Sequence, residues 1–312
     1  MSRKTALKGA TIPCTLFALC LSLCITQPTR ADDFNPAPWT ALLLPAPLGY
    51  TPDNTSVCIN GDISCVDTVD TNLQAQLASL LTNCDHKLVF TFFLDRMVQA
   101  YRTAALTPGY FENTVYTNQG DALLYSYYTT QYQAWNNHNV SQVSPAWQIA
   151  FAANDNRTVS ALGDALLSIN AHLNHDAPYV LDQIGLVYPN GDSAKGDYDK
   201  HNVWLYAAET PALDEGARRF DPSMNQPALI LQPPFNLLDF QLIAGWREQA
   251  WRFAEQLKLA EETNDPIAYQ ATEAAIDAYT VAQADIILAA TTITPQQTAY
   301  RDTYCMAHRY DP

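Results

Sequence analysis

The chain has 312 residues, of which 48% are hydrophobic and 16% charged, and its formal net charge is −15 at pH 7. So much apolar sequence and so little charge exclude an intrinsically disordered protein. The excess of acidic groups repels phosphates, which excludes nucleic-acid binding through a basic surface and disfavours docking on anionic lipid.

Residues 1–31 have the pattern of a signal peptide. Three basic residues precede an apolar stretch from Ala10 to about Ile25, and a small residue, Ala31, stands before an acidic pair. The apolar stretch is shorter than the roughly 20 residues of a transmembrane helix, and no later stretch reaches that length. We therefore expect a secreted or periplasmic protein without a membrane span, cleaved near Ala31. The alternative is an uncleaved anchor.

The next segment, residues 32–70, is rich in Pro, Asp, Asn and Thr and predicts an irregular leader laid over a core. From residue 71 onward apolar residues recur at helical spacing, and hairpin signals are scarce. The predicted helices are Thr71–Leu81, Leu88–Ala105, Pro145–Asn154, a helix capped by Thr158 that runs to Asp176 and is kinked or ended by Pro178, Asp197–Thr210, Leu237–Thr263 and Pro266–Ala290. The pattern predicts an all-α fold, a single irregular multi-helix bundle over residues 71–312.

Four cysteines lie beyond the predicted signal peptide, at Cys58, Cys65, Cys84 and Cys305. In an exported chain they favour two disulfides, for which three pairings exist. We favour Cys58–Cys65, which closes a short loop, and Cys84–Cys305, which ties the C-terminus to the start of the domain. The alternative, one zinc site made of all four, lacks a Cys-x-x-Cys pair.

Asp95 is the first candidate catalytic residue, because it lies inside the apolar run 88–98. Burying an unpaired carboxylate is very costly, so Asp95 needs a partner. We expect the neighbouring Arg96 to point elsewhere around the helix and the partner of Asp95 to be distant in sequence. A structural ion pair and a functional site are equally good explanations.

The most unusual segment is Ser168–Pro178, a polar end on an otherwise apolar helix. His172 and Asp176 are four residues apart and share one face of a helix, and His175 follows His172 by three. Nitrogen and carboxylate ligands at such spacing build many zinc and iron sites. His172, His175 and Asp176 are therefore candidate metal ligands, with Asn170 as a substrate contact. The alternative is a buried hydrogen-bond network.

Two later segments add candidates. Asp197 opens the polar stretch 197–202 and is a candidate catalytic residue, although it could simply be a helix N-cap. If this turn faces the His172 helix, Asp197 and Asn202 would complete a mixed oxygen and nitrogen shell. Arg247 and Trp251, four residues apart, are candidate substrate contacts together with Asn202. Cation–π stacking or core packing is the leading explanation of the pair Arg247 and Trp251.

Three segments, 170–178, 197–202 and 246–251, resemble in order and spacing a bacterial domain family of uncharacterised function, DUF5995. The resemblance spans about residues 70–290, and the acidic helix around Asp95 also has a counterpart in that family. Where the family usually has Asp-Leu-Pro, the chain has Asp-Ala-Pro at 176–178. The leader and the cysteines look like additions. The family supplies no activity, so the resemblance supports the choice of residues without naming a reaction.

Two functions with a small-molecule partner follow. The first is a secreted metal-dependent hydrolase, in which His172, His175 and Asp176 hold zinc or iron. Asp197 or Asp95 would then be a further ligand or a general base, and the metal would activate a water molecule. A metal-free acid–base enzyme would use the same residues.

The second function is a non-catalytic secreted binding protein. The aromatic stretch Tyr125–Trp135 and the face Trp246–Trp251 would line an apolar pocket, with the His/Asp cluster as a structural network. The two functions differ in whether His172, Asp176 and Asp197 converge on one open cavity. A haem role would need an axial histidine, and no Cys-x-x-Cys-His occurs.

Overall fold

The structure is a computed structural model that describes residues 58–225 and 235–312, with the backbone alone for 235–239. The expected all-α multi-helix bundle is confirmed for these residues. The helices are α1 Ile63–Leu81, α2 Leu88–Leu106, α3 Thr114–Asn136, α4 Pro145–Asn156, α5 Ala161–Asn170, a π-helical segment Ala171–Asp176, α6 Ala177–Ile184, α7 Lys195–Arg219, α8 Phe235–Glu262, α9 Pro266–Thr291 and α10 Pro295–His308. Within the described ranges no helix has the length and apolar character of a membrane span.

The predicted signal peptide, 1–31, and most of the leader lie outside the described residues. Helix α1 begins at Ile63, which is inside the segment expected to be irregular. Val66 and Val69 are buried and extend the apolar stripe of Leu73 and Leu77 by two turns, so the helix starts earlier than the proline-rich composition of the leader indicates.

Both expected disulfides are confirmed. Cys58 pairs with Cys65, and Cys84 pairs with Cys305 across 221 residues of sequence. The second bond joins the turn before α2 to α10, a helix that the spacing of apolar residues does not predict. It therefore ties the C-terminal helix to the bundle covalently.

A buried polar network also holds α10 in place. Arg301 of α10 pairs with Asp164 of α5 at 2.6 Å and donates to the carbonyl of Val159 at 3.0 Å. Next to it, His86 Nε2 lies 2.9 Å from Asp302, and His86 Nδ1 lies 3.4 Å from Asp164. Burial lowers the pKa of His86, so the ring is neutral at physiological pH.

The sequence predicts that Pro178 kinks or ends the helix before it, and the structure continues this helix from Ala161 through the π segment to Ile184. Its N-cap is Ser160 rather than Thr158. In the π segment the N–H of Ala177 bonds to the carbonyl of His172, five residues earlier. Proline lacks an N–H and its ring collides with the carbonyl four residues before it in an α-helix. We infer that the wider π turn makes room for Pro178, so the chain continues as α6.

Candidate functional site

Helices α2, α3, α7 and α8 and the continuous run α5–π–α6 enclose a cavity of about 210 Å³. An engineered cavity of about 150 Å³ holds benzene, so this one accommodates a compact molecule of roughly ten non-hydrogen atoms. Apolar side chains from every wall face it, among them Phe93 and Met97 of α2, Leu124 of α3, Leu166 and Ile169 of α5, Val180 of α6, Leu213 of α7 and Ile243 of α8. The cavity is therefore an apolar site in the sense of a small-molecule pocket.

Asp121 of α3 is the most unusual side chain in the lining. Its Oδ2 atom is buried and has no hydrogen-bond partner in the part of the chain that the structure describes. Burial raises the pKa of Asp121 to about 7. Tyr101 of α2 lies one helical turn from Asp121, because its hydroxyl donates to Thr117 and Asn118 of α3 at 2.9 and 2.6 Å. Burial, followed by the charge of Asp121, raises the pKa of Tyr101. Buried carboxyl groups without a partner are rare and costly in native proteins, so Asp121 requires an explanation.

His201 and Trp204 of α7 line the cavity and contact Tyr101. The ring of His201 stacks on Tyr101 with centroids 5.5 Å apart, and the ring of Trp204 is 5.8 Å from Tyr101. His201 Nδ1 lies 2.8 Å from the carbonyl of Asp197. Because a carbonyl only accepts, Nδ1 carries the proton and Nε2 keeps its lone pair. Burial, followed by the charge of Arg247, lowers the pKa of His201 to about 3, so the ring stays neutral.

Arg247 of α8 lines the cavity as well, but its guanidinium is occupied. Nε donates to Asn202 at 2.8 Å, Nη2 donates to the carbonyl of Tyr198 at 2.6 Å, and the group stacks over the Tyr198 ring at 4.1 Å. The two predicted substrate contacts Asn202 and Arg247 therefore bind each other, and only Arg247 faces the cavity.

The three predicted metal ligands do come together, around Asp176. Its Oδ1 lies 2.8 Å from His175 Nδ1, and its Oδ2 accepts from Trp147 Nε1 at 2.9 Å and lies 3.9 Å from His172 Nδ1. Burial alone would raise the pKa of Asp176, but the two histidines lower it. Both carboxylate oxygens are thus engaged by N–H donors, as in the structural network that the sequence left as an alternative.

No group of three or more His, Cys, Asp or Glu side chains is placed to hold a metal ion among the described residues. His172 lines the cavity, whereas His175 and Asp176 do not. The second nitrogen of His175 faces Asp277 of α9 at 3.6 Å. The Asp176 cluster therefore lies behind the cavity wall, and of its three predicted ligands only His172 lines the cavity.

The structure assigns Asp95 to an ion pair rather than to the cavity. The expectation that Arg96 points elsewhere is wrong, because its guanidinium bonds to Asp95. The same guanidinium makes two bonds to Glu215 of α7, at 2.9 and 2.7 Å. The side chain of Arg96 is long enough to fold back along α2. Burial raises the pKa of Asp95 to about 6 even beside this cation. Asp95 therefore helps to join α2 to α7.

Asp197 is neither the N-cap of α7 nor part of the cavity lining. The helix begins two residues earlier, after Ala194, and Asp197 instead accepts from the backbone N–H groups of Glu112 and Asn113, each at 2.8 Å. Tyr188 and Lys200 donate to it at 2.7 and 2.9 Å. Burial alone would raise the pKa of Asp197, but these four donors lower it. Asp197 thus closes the start of α3, and the shell expected around His172 does not form.

The remaining two candidates, Asn170 and Trp251, do not line the cavity. Asn170 donates to the carbonyl of Thr280 at 2.9 Å and accepts from Asn174. Trp251 is fully buried and donates to Glu255 at 2.9 Å. Of the nine site residues that the sequence predicts, only His172 and Arg247 line the cavity. The expected aromatic lining is likewise reduced to Tyr125 from its first stretch.

Sequence reasoning missed Asp121, His201 and Trp204. One signal was available for Asp121. Asp121 lies four residues after Thr117 and four before Tyr125, so it shares with Gly120 and Leu124 the face of α3 that lines the cavity. An acidic residue on an inward face of a helix is unusual, as it is for Asp95.

Comparison with known proteins identifies the family of the chain. The model of the family described as "Family of unknown function (DUF5995)" matches residues 66–290. The chain belongs to the DUF5995 family. No curated protein and no solved structure matches the chain. The DUF5995 match contains every wall of the cavity and the Asp176 cluster, and it leaves out α10 and three of the four disulfide cysteines.

Proposed function

We propose that this DUF5995 protein binds a small, largely apolar molecule in the cavity. The observation that carries the proposal is a cavity of about 210 Å³, lined by apolar side chains from five helical walls and containing the unpartnered Asp121. Native interiors are packed as densely as organic crystals, and an empty cavity costs about 24 cal/mol per Å³. At that rate an enclosed and empty cavity of this volume would cost about 5 kcal/mol, and water that enters from the open side reduces this cost. A ligand that fills it offsets this cost.

The arrangement of polar groups supports binding over a simple packing defect. Asp121 of α3 and His201 and Trp204 of α7 all line the cavity. The rings of His201 and Trp204 contact Tyr101, whose hydroxyl bonds to α3 one turn before Asp121. A few convergent polar groups in an otherwise apolar pocket are the usual means of fixing the orientation of a ligand. A packing defect would not collect polar atoms without partners, because these add to its cost.

The test measures the binding of an apolar probe, α-methylstyrene, to the full chain by ligand-detected NMR. We expect saturable binding that Leu166→Trp abolishes, since the larger side chain occupies the cavity that Leu166 lines. The matched control is Leu259→Trp on α8, where the side chain is 51% exposed, and it should bind as the wild type does. Absence of binding to the wild type, or equal binding by both variants with helical circular dichroism retained, would contradict the proposal.

A second candidate is hydrolysis at His172, either metal-dependent or by acid–base catalysis. It is favoured by one observation: His172 lines the cavity while its Nδ1 lies 3.9 Å from a carboxylate oxygen of Asp176, which places a carboxylate beside an imidazole as in acid–base catalysis. Elemental analysis of protein purified without chelator distinguishes metal-dependent hydrolysis from metal-free acid–base catalysis. About one equivalent of zinc or iron, lost in His172→Ala with the fold retained, would support the metal-dependent one.

We also propose that the protein acts outside the cytoplasm. The two disulfides support this, because such bonds persist in oxidising compartments. Mass spectrometry of the exported protein should find a mature N-terminus near Asp32, and an intact Met1 on exported protein would contradict cleavage.

A further inference from the structure

Asp121 of α3 and Trp204 of α7 line the cavity, and each has a buried polar atom, Oδ2 and Nε1 respectively, without a hydrogen-bond partner within the described ranges, 58–225 and 235–312. His172 Nδ1 is another such atom, but it faces the carboxylate of Asp176 at 3.9 Å. Trp204 contacts Tyr101, whose hydroxyl bonds to Asn118 at 2.6 Å, one turn before Asp121 on α3. Nearly all buried polar atoms in native proteins are hydrogen-bonded. Two unpartnered atoms from different helices in the lining of one cavity indicate a polar group that the ligand supplies.

The chemistry of these atoms restricts that group. An indole N–H donates and cannot accept, and a protonated carboxyl group donates through its O–H. His201, stacked on the same tyrosine, keeps a lone pair on Nε2. Asp121, Trp204 and His201 therefore offer a ligand two donors and one acceptor, whereas the side chains of α2 and α5 in the lining offer hydrocarbon.

We infer that the cavity takes a compact hydrocarbon bearing one neutral oxygen, a ketone or an alcohol, whose oxygen accepts hydrogen bonds from Asp121 and Trp204. The inference rests on the proposed function. A hydroxyl oxygen could in addition donate to His201. A cationic amine fits less well, because it would place a charge in an apolar cavity that already holds the Arg247 guanidinium.

Binding of this kind depends on pH through Asp121. The other titratable and charged groups of the cavity lining are Tyr116 and Tyr125 of α3, His172 of the π segment, Tyr198, His201 and Glu209 of α7, and Arg247 of α8, and Tyr101 of α2 contacts His201 and Trp204. Burial raises the pKa of Asp121 to about 7, so its carboxyl group keeps the proton that it donates in mildly acidic solution. Above this pKa the donor becomes an acceptor and repels the ligand oxygen.

The test uses three probes of nearly identical shape: acetophenone, α-methylstyrene and 1-phenylethylamine, titrated into the full chain by NMR. At pH about 6 we expect acetophenone to bind about tenfold more tightly than α-methylstyrene, the usual effect of one or two buried hydrogen bonds. Asp121→Leu and Trp204→Phe should each reduce this preference and leave α-methylstyrene binding in place. Asp121→Asn, which keeps a donor and cannot ionise, should preserve the preference and remove its loss above pH about 8.

The outcomes separate the inference from the proposed function. If α-methylstyrene binds and acetophenone binds no better, or 1-phenylethylamine binds most tightly, the oxygen-bearing ligand class is overturned and the apolar cavity stands. If the preference survives Asp121→Leu and Trp204→Phe, the inference is also overturned. If no probe binds, the proposed function itself fails.

Discussion

Replacing Asp121 by Asn should stabilise the free protein at neutral and alkaline pH and change its stability little in acid. Burial raises the pKa of Asp121 from 3.8 to about 7 in the folded state. A group whose pKa is higher when folded contributes stability below its unfolded pKa and loses that contribution as the pH rises through its folded pKa. The wild type should therefore lose stability between about pH 4 and pH 7, and the Asn variant should not lose this part.

The magnitude follows from the same two values. One pKa unit corresponds to about 1.4 kcal/mol, so the full difference between 3.8 and about 7 is worth about 4 kcal/mol. The Asp121 side chain borders a cavity that water can enter, and screening by that water reduces the effect. We therefore expect Asp121→Asn to be about 2 kcal/mol more stable than the wild type at pH about 8.

The assay is urea unfolding of ligand-free protein at pH about 4 and about 8, with the free energy of unfolding extrapolated to water. The control is Asp285→Asn, because Asp285 is exposed on α9. The free energy of unfolding of this variant should depend on pH as that of the wild type does. Identical pH dependence in the wild type and Asp121→Asn, with equal m-values, would refute the reasoning. It would mean that Asp121 finds a partner or full solvation in the folded protein.

Three further predictions concern the support of the cavity. Asp176→Asn should lose about 3 kcal/mol in urea unfolding, because the amide sets an N–H against a buried donor and removes a charge-assisted bond. Joint replacement of Cys84 and Cys305 by Ser should cost about 5 kcal/mol on the chain-entropy treatment, since the bond spans 221 residues. Gly61→Ala should lower the melting temperature strongly, because Gly61 has φ +59° and a Cβ would stand 2.3 Å from the carbonyl oxygen of Val115.

Each of these has a matched control. Asp277→Asn removes a half-exposed carboxylate at 3.6 Å from the same histidine network and should cost under about 1 kcal/mol. Removal of the Cys58–Cys65 bond, whose residues are seven apart, should cost about half as much as removal of the long-range bond. Gly109→Ala, at φ +74° with nothing within 4 Å of a new Cβ, should show backbone strain alone. Equal losses within any of these pairs would contradict the structural explanation given for it.

The sequence predicts the parts of this fold that local spacing controls. The apolar stripe of α1 and the long helices α8 and α9 follow from residues three and four apart, and the disulfide pairing follows from having few alternatives. Helix α10 could not be predicted in this way. It has few apolar side chains, and its position depends on Arg301 reaching Asp164 and on the bond to Cys84, contacts between residues more than a hundred positions apart.

The candidate site was predictable only in part, for a related physical reason. The spacing of His172 and Asp176 correctly indicates that they are neighbours, because both belong to one helical segment. Whether a carboxylate has spare lone pairs depends on donors from other helices. Trp147 of α4 occupies Asp176, and no donor reaches Asp121 Oδ2 among the described residues. Spacing within one helix cannot reveal either fact.

This difference in hydrogen bonding decides where function should be sought. Asp176 and Asp197 have both oxygens engaged, so either would have to give up existing bonds before it could bind a metal or a substrate. Asp121 and Trp204 have atoms in reserve and face an apolar cavity. His172 connects the two sets, since its ring lines the cavity and its Nδ1 faces Asp176. The Asp176 cluster, which stands out in the sequence, therefore supports the cavity wall. The groups that would bind a ligand are Asp121 and Trp204, whose polar atoms have no hydrogen-bond partner among the described residues.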